Sequence, residues 1–199
     1  MKIRNAAAIA VIALATLTAC GESTEPAAPS EAAAPTPASS TAPAQNVQEP
    51  ETNELMSEAS PEGAQAFLHH VFALKSYNQR TGETEQLLAT LDGAEAATAE
   101  ADEFAALYAD GGWVLGGQPK VKQIIVTTPA EEVAEDVEVD ALITVNPDAY
   151  TSFDEAGEVQ ETRPFDPAGT IYSATVVYTD GAWKATYLEE TPDAELPSE

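Results

Sequence analysis

The sequence has few basic residues and a single cysteine. Lys and Arg number 8 against 34 Asp and Glu, which gives a formal net charge of −26. Clustered Lys and Arg are the main ligands of a phosphate backbone, so this composition excludes nucleic acid as a partner. One cysteine forms neither an intramolecular disulfide nor a zinc site of several thiolates. The 199 residues therefore suffice for one acidic, disulfide-free domain with appendages.

The chain also lacks an apolar run long enough to cross a bilayer. Its longest run, from Ala6 to Ala19, has about 14 residues, whereas a spanning helix needs roughly 20. Lys2 and Arg4 precede this run. A basic start followed by a short apolar run is typical of a secretory signal peptide.

The signal ends in Leu17-Thr18-Ala19-Cys20, which resembles the bacterial lipobox. The resemblance implies cleavage between Ala19 and Cys20 and transfer of diacylglycerol to the Cys20 thiol, with a further acyl chain such as palmitate on the new amino group. Two acyl chains hold a protein at a membrane, whereas one does not. We therefore expect residues 1–19 to be a lipoprotein signal peptide and Cys20 to attach the protein to the extracytoplasmic face of the cell membrane. The alternatives are an ordinary secretory signal and a short buried helix.

Residues 20–60 contain no aromatic and no basic side chain and are rich in Ala, Pro, Ser, Thr and Glu. Such a segment buries too little apolar surface to offset the entropy lost on ordering. The composition predicts a disordered tether that holds the folded part away from the membrane. Its Ser, Thr and Pro content also suits O-glycosylation.

Residues 61–190 predict one domain, and residues 191–199 an acidic tail. Ser60 and Pro61 form a helix-start signal, with a small polar N-cap and proline in the first turn. Apolar residues then recur at helical spacing in three runs. The predicted helices carry Phe67 to Tyr77, Leu87 to Leu91, and Ala97 to Tyr108.

After the third helix, apolar and polar residues alternate, which is typical of strands. Asp180 and Gly181 lie between two such runs and are a strong hairpin signal. Helices that precede antiparallel strands predict an α+β fold, with three N-terminal helices packed on one curved antiparallel sheet. The predicted strands cover residues 113–115, 121–128, 137–145, 159–162, 171–178 and 183–188.

This order of elements, which ends in YTDGAWK at residues 178–184, resembles the cone-shaped nuclear transport factor 2-like superfamily. The lipobox, the Ala-Pro-Thr tether, residues 61–82 and the GGWVLGG block at residues 111–117 resemble a narrower group. Its members are cell-envelope lipoproteins of high-GC Gram-positive bacteria that carry a domain of unknown function. They often have a Cys-x-x-Cys pair between the second and third helices, which residues 91–97 lack.

The resemblance implies an apolar pocket between helices and sheet. Its candidate lining residues are His70, Tyr77, Tyr108 and Tyr178. Catalysis there would need a histidine or carboxylate of shifted pKa opposite a hydrogen-bond donor, and the sequence pairs no such groups. We therefore predict no catalytic residue, cofactor or metal. The leading hypothesis is an envelope lipoprotein displaying a non-catalytic domain that binds a small ligand or an envelope protein. The alternatives are an isomerase or hydrolase that uses the pocket, and a homodimer that pairs through the outer sheet face.

Two charged patterns suggest weaker candidates. Asp136, Glu138 and Asp140 share one face of a predicted strand. Their spacing of about 7 Å favours a solvated face over a calcium site, which gathers six to eight oxygens. Lys120 and Lys122 favour protection of a sheet edge over an anion contact.

Overall fold

A computed structural model of the chain describes residues 33–194 and residue 196. Within these residues, three α-helices precede seven strands in two antiparallel sheets. The helices are α1 (Pro61–Thr81), α2 (Glu85–Ala89) and α3 (Glu95–Ala109). The strands are β1 (Trp113–Gly116), β2 (Val121–Val126), β3 (Glu138–Val145), β4 (Tyr150–Phe153), β5 (Val159–Arg163), β6 (Thr170–Thr179) and β7 (Ala182–Glu190). Short 3-10 helices cover Glu54–Ser57 and Ala130–Glu132.

Helix α1 begins and ends at capping residues. The hydroxyl of Ser60 accepts a hydrogen bond from the backbone N–H of Gly63 at 3.0 Å, and Pro61 stands in the first turn. At the other end Gly82 has a φ of 75°, and its N–H donates to the carbonyl of Asn78. A Cβ atom at Gly82 would also lie only 2.6 Å from Cβ of Tyr108. Both the positive φ angle and this close approach therefore require glycine at this position. The predicted start of the first helix is confirmed.

The strands form two sheets where the sequence predicted one curved sheet. The first sheet has the order β1-β4-β5, and the second has the order β2-β3-β6-β7. Gly116 and Gly117, with φ angles of 74° and 75°, end β1 and turn the chain, so β1 pairs with β4 and not with its sequence neighbour β2. Strand β4 was not predicted, because it buries the polar residue Ser152 and so lacks the alternation of apolar and polar residues that marks a strand.

The predicted hairpin is present between β6 and β7. Asp180 and Gly181 both have positive φ angles, 51° and 78°, as a two-residue hairpin turn of this type requires. Its strands are longer than predicted, and a bulge between Thr175 and Val176 shifts the pairing by one residue.

The core lies between α1 and the second sheet. Phe67 of α1 stacks on Trp183 of β7 with ring centroids 6.3 Å apart, and Phe72 meets Tyr172 of β6 edge to face at 5.2 Å. Strand β3 buries alternate residues, as its sequence predicts. Its buried residues are Val139, Ala141, Ile143 and Val145.

Of the tether predicted over residues 20–60, the structure describes residues 33–60. Residues 33–60, hereafter the docked segment, lie against the domain through their backbone carbonyls. The indole N–H of Trp113 donates to Ser39 at 2.9 Å, and that of Trp183 donates to Glu58 at 3.1 Å. The composition of a segment reports only on its own side chains. The indole groups that bind this segment belong to residues far along the chain, so its composition does not reveal these contacts.

The predicted signal peptide and Cys20 lie outside the described residues. No helix among residues 33–194 is both long and apolar enough to span a membrane.

Thr144 of β3 allows a test of the interior. Its buried hydroxyl has no hydrogen-bond partner among the described residues. Since a buried unpaired hydroxyl costs free energy, Thr144→Val should raise the free energy of unfolding by about 1 kcal/mol, measured by urea denaturation. The matched change Thr175→Val removes a hydroxyl that donates to Asp140 at 2.8 Å, so it should lower that free energy. Equal effects of the two changes would contradict this account.

The docked segment can be tested by hydrogen exchange. Trp113→Phe keeps a ring to stack on Phe153, 5.0 Å away, but removes the donor to Ser39. Amide exchange over residues 36–45 should then accelerate, measured by mass spectrometry. Trp183→Phe is the control, because its effect should fall on residues 54–58. Unchanged exchange over residues 36–45 in Trp113→Phe would show that this bond does not hold the segment.

Candidate functional site

A cleft of about 550 Å³ lies between α3, the end of α1 and both sheets. Strands β4 and β5 form one wall, α3 forms a second, and the ends of β3, β6 and β7 form the third. Its volume is in the range of small-molecule sites. The cleft is therefore the candidate functional site of the described residues.

Two tyrosine rings in the walls of the cleft each lie close to a basic side chain of the protein. Tyr150 and Arg163 face each other across β4 and β5, and the guanidinium carbon lies 4.3 Å from the centre of the Tyr150 ring. The Nζ atom of Lys75 lies 5.5 Å from the centre of the Tyr172 ring. Both distances are within the range of cation–π attraction.

An ion pair between a buried lysine and a partly exposed glutamate lies beside the Tyr172 ring. Lys75 is 5 % exposed, and its Nζ atom is 2.5 Å from a carboxylate oxygen of Glu100 on α3. A buried ammonium group needs such a partner, because unpaired it would lose its hydration without compensation. The pair therefore holds α1 and α3 together at the base of the cleft.

The hydroxyl of Tyr172 points to the end of β7. It donates to a carboxylate oxygen of Glu190 at 2.7 Å. Burial first, then the negative charge of Glu100 and the bond to Glu190, raise the pKa of Tyr172 well above its usual value. Tyr172 is therefore a neutral phenol that donates within the cleft.

Carboxylates surround the cleft. Among the described residues that line it, six are acidic and one, Arg163, is basic. The acidic residues come from α3, β5, β7 and the loops after β3 and β5. They are Glu100, Glu103, Asp148, Glu161, Asp166 and Glu190. Among residues 33–194, no three His, Cys, Asp or Glu side chains are grouped closely enough to hold a metal ion.

Two buried polar side chains in the cleft have unused acceptors. Ser152 is 4 % exposed, lines the cleft on β4, and its hydroxyl bonds to no other described residue. Gln79 of α1 is 5 % exposed; its amide nitrogen approaches the carbonyl of Gly116 at 3.5 Å, and its amide oxygen has no partner among residues 33–194. Because both side chains are polar and line the cleft, they are placed to contact a bound molecule.

The four residues predicted to line a pocket do not all line one cavity, and none lines this cleft. Tyr77 and Tyr108 line a separate hollow of about 340 Å³ against the docked segment. Tyr178 donates to the carbonyl of Ser57 in the docked segment at 2.7 Å. His70 bonds to the carbonyl of Glu51, also in that segment, at 3.2 Å.

The two tyrosines of this hollow stay protonated, because their pKa values are raised. Burial, followed by the hydrogen bond to Glu83, raises the pKa of Tyr77 to about 12. Burial raises the pKa of Tyr108 to about 12, and its hydroxyl donates to the carbonyl of Gln79. Both phenols therefore donate hydrogen bonds within the protein, and neither meets a free carboxylate or histidine across an open cavity.

The weaker charged candidates are also placed. Asp136 lies in a turn with a φ of 60°, and Asp140 accepts a bond from Thr175. The ammonium of Lys120 pairs with Asp148 at 2.7 Å. These contacts explain the residues without a ligand.

Residues 35–189 match a family of unknown function (DUF6318). The chain belongs to this family. The match begins inside the docked segment, so residues 35–60 are part of the DUF6318 domain. No curated protein matches the chain. Among solved structures, the chain is similar to the intermembrane space region of the chloroplast protein ARC6, with a TM-score of 0.46 and 14% identity over 66% of this chain and 95% of that one.

His70 predicts a pH dependence of the DUF6318 domain. Burial lowers the pKa of His70 below 6.5, against the opposing effect of its bond to Glu51. Since the native state binds this proton more weakly than the unfolded chain does, stability is full above about pH 6.5 and falls as the pH drops through that value. His70→Gln should therefore lose less stability than the unchanged chain between about pH 8 and pH 5, measured by thermal unfolding. The control is His69→Gln, at the exposed neighbour. Parallel curves for all three proteins would contradict the role of His70.

Proposed function

We propose that this protein is a lipid-anchored protein of the extracytoplasmic membrane face, whose DUF6318 domain binds a small polar ligand in the cleft. The observation that carries the proposal is the cleft of about 550 Å³ itself, whose walls bring together the largely buried polar residues Gln79, Ser152 and Tyr172. A cavity that served packing alone would be filled by apolar side chains, because an unused buried polar group costs free energy.

The anchoring part of the proposal rests on Cys20. The short apolar run and the lipobox-like sequence favour export and lipidation of the only cysteine in the chain. The domain itself is strongly acidic, and negative charge repels an anionic lipid surface. A covalent anchor is therefore the contact that the proposal requires.

The domain is best interpreted as a variant of the nuclear transport factor 2-like cone. Three helices precede antiparallel strands, and the cleft lies between helix and sheets, where that resemblance implies a pocket. The variant has two sheets, and the docked segment closes the side where the sequence predicted the pocket residues.

Binding is favoured over catalysis by the contacts of Tyr172 and Glu190. These are a donor and a carboxylate at one cavity, which is the combination that proton-transfer chemistry uses. However, the Tyr172 hydroxyl donates directly to the Glu190 carboxylate, so the two groups are hydrogen-bonded to each other. An enzyme would need to separate them before either could act on a substrate.

One preparation tests both parts of the proposal. The full chain, purified from the membranes of its own host, should carry an acyl mass that Cys20→Ser lacks. Its native mass should include a bound small molecule. Ser152→Phe should lose that molecule, because the larger side chain fills the cleft.

A second cleft variant and a control variant accompany this measurement. Thr170→Phe, at the partly exposed rim of the cleft, should also lose the molecule if Ser152→Phe does not fold. Ser173→Phe places the same side chain on the neighbouring face of β6 and should retain it. An acyl mass unchanged in Cys20→Ser would reject the anchor, and an empty cleft in the unchanged chain would reject the binding function.

A further inference from the structure

We infer that the cleft recognises ammonium groups, so that its ligand is a small organic cation such as a polyamine. This inference rests on the proposed function and names the chemical class of the ligand. It is carried by three features of the cleft: its rings, its carboxylates and its buried acceptors.

The rings show that the site attracts positive charge. Arg163 lies over Tyr150 and Lys75 lies over Tyr172, at 4.3 and 5.5 Å from the ring centres. A tyrosine ring presents a negative face, and it attracts a cation most strongly where water is excluded. The protein's own cations therefore occupy the two positions that a ligand cation would prefer.

Of these two cations, Arg163 is the one that a ligand can replace. Lys75 is buried and paired with Glu100, whereas the side chain of Arg163 is 63 % exposed. Arg163 contacts Glu161 only through Nε, at 2.9 Å, on a strand whose five residues are all exposed. An exposed ion pair of this kind contributes at most about 1 kcal/mol, so its displacement costs little.

Removal of Arg163 from the ring would leave an acceptor set suited to an ammonium group. Ser152 is the register partner of Glu161, and Tyr150 is the register partner of Arg163. All four residues line the cleft. A ligand ammonium would therefore meet the Tyr150 ring, the Glu161 carboxylate and the unused Ser152 hydroxyl. Gln79, which also lines the cleft, provides a further acceptor through its amide oxygen.

The remaining carboxylates favour a ligand with more than one positive charge. Glu103, Asp166 and Glu190 lie on different walls of the cleft. Spaced ammonium groups on a flexible chain can reach such separated charges, and each charge-assisted hydrogen bond adds to affinity. A single compact cation would leave most of these charges unpaired.

The competing interpretation is an anion bound by Arg163. The two interpretations predict opposite effects of the same substitution. If Arg163 recognises an anion, its removal weakens binding. If Arg163 occupies the position of a ligand cation, its removal strengthens binding of the cation.

The test is calorimetric titration of the full chain in mild detergent with spermidine, at about 0.15 M salt to screen non-specific attraction. We expect saturable binding at one site. Arg163→Gln should lower the dissociation constant at least threefold, because the internal competitor is gone. Glu161→Gln should raise it about tenfold, because a charge-assisted bond is lost. Glu131→Gln, on the exposed 3-10 helix Ala130–Glu132, is the matched control and should change nothing.

Three results would overturn the inference. They are weaker spermidine binding in Arg163→Gln, equal effects of Glu161→Gln and Glu131→Gln, and tighter binding of citrate than of spermidine with loss in Arg163→Gln. Failure of the proposed function is recognised separately. If the host molecule remains in the cleft and spermidine does not bind, the ammonium class is wrong and the binding function stands. If neither is bound, both are rejected.

Discussion

Helix α1 positions the core, the cleft and the docked segment, because its side chains contact all three. Phe67 and Val71 enter the core against the second sheet. Lys75 and Gln79, one turn apart, face the cleft region, and His70 reaches the docked segment. Because these side chains project from a single rigid element of 21 residues, the helix fixes the core, the cleft and the docked segment relative to one another.

The elements that could be predicted were those whose signals are local. The Ser60 cap and the Gly82 stop define α1, the alternation of β3 defines its buried face, and Asp180-Gly181 defines the hairpin. The number of sheets could not be predicted, because Gly116 and Gly117 show that the chain turns but not which strand it meets next. The docked segment was missed because its order comes from distant donors such as Trp113.

The site was harder to predict for a related reason. The sequence predicts a pocket lined by His70 and three tyrosines, whereas in the structure the docked segment contacts Tyr178 and His70. The true cleft is built from residues of several elements. Tyr172 and Glu190 meet only because the bulge in β6 and β7 shifts their register; a hairpin counted directly from Asp180-Gly181 would pair Tyr172 with Glu189 instead. Sequence periodicity indicates which face of a strand is buried, but it does not indicate such shifts in register.

The negative charge of the chain has a consequence for stability at the cleft. On an exposed surface, negative charge is solvated and favours solubility. Around the cleft the carboxylates of Glu100, Glu161 and Glu190 line one hollow, and their mutual repulsion opposes the compact state. Lys75 and Arg163 offset part of this repulsion from within. A cation bound among the same carboxylates offsets more of it, and since it binds the folded chain alone, it stabilises the fold by the free energy of its binding. Recognition and stability at this site are therefore two consequences of one distribution of charge.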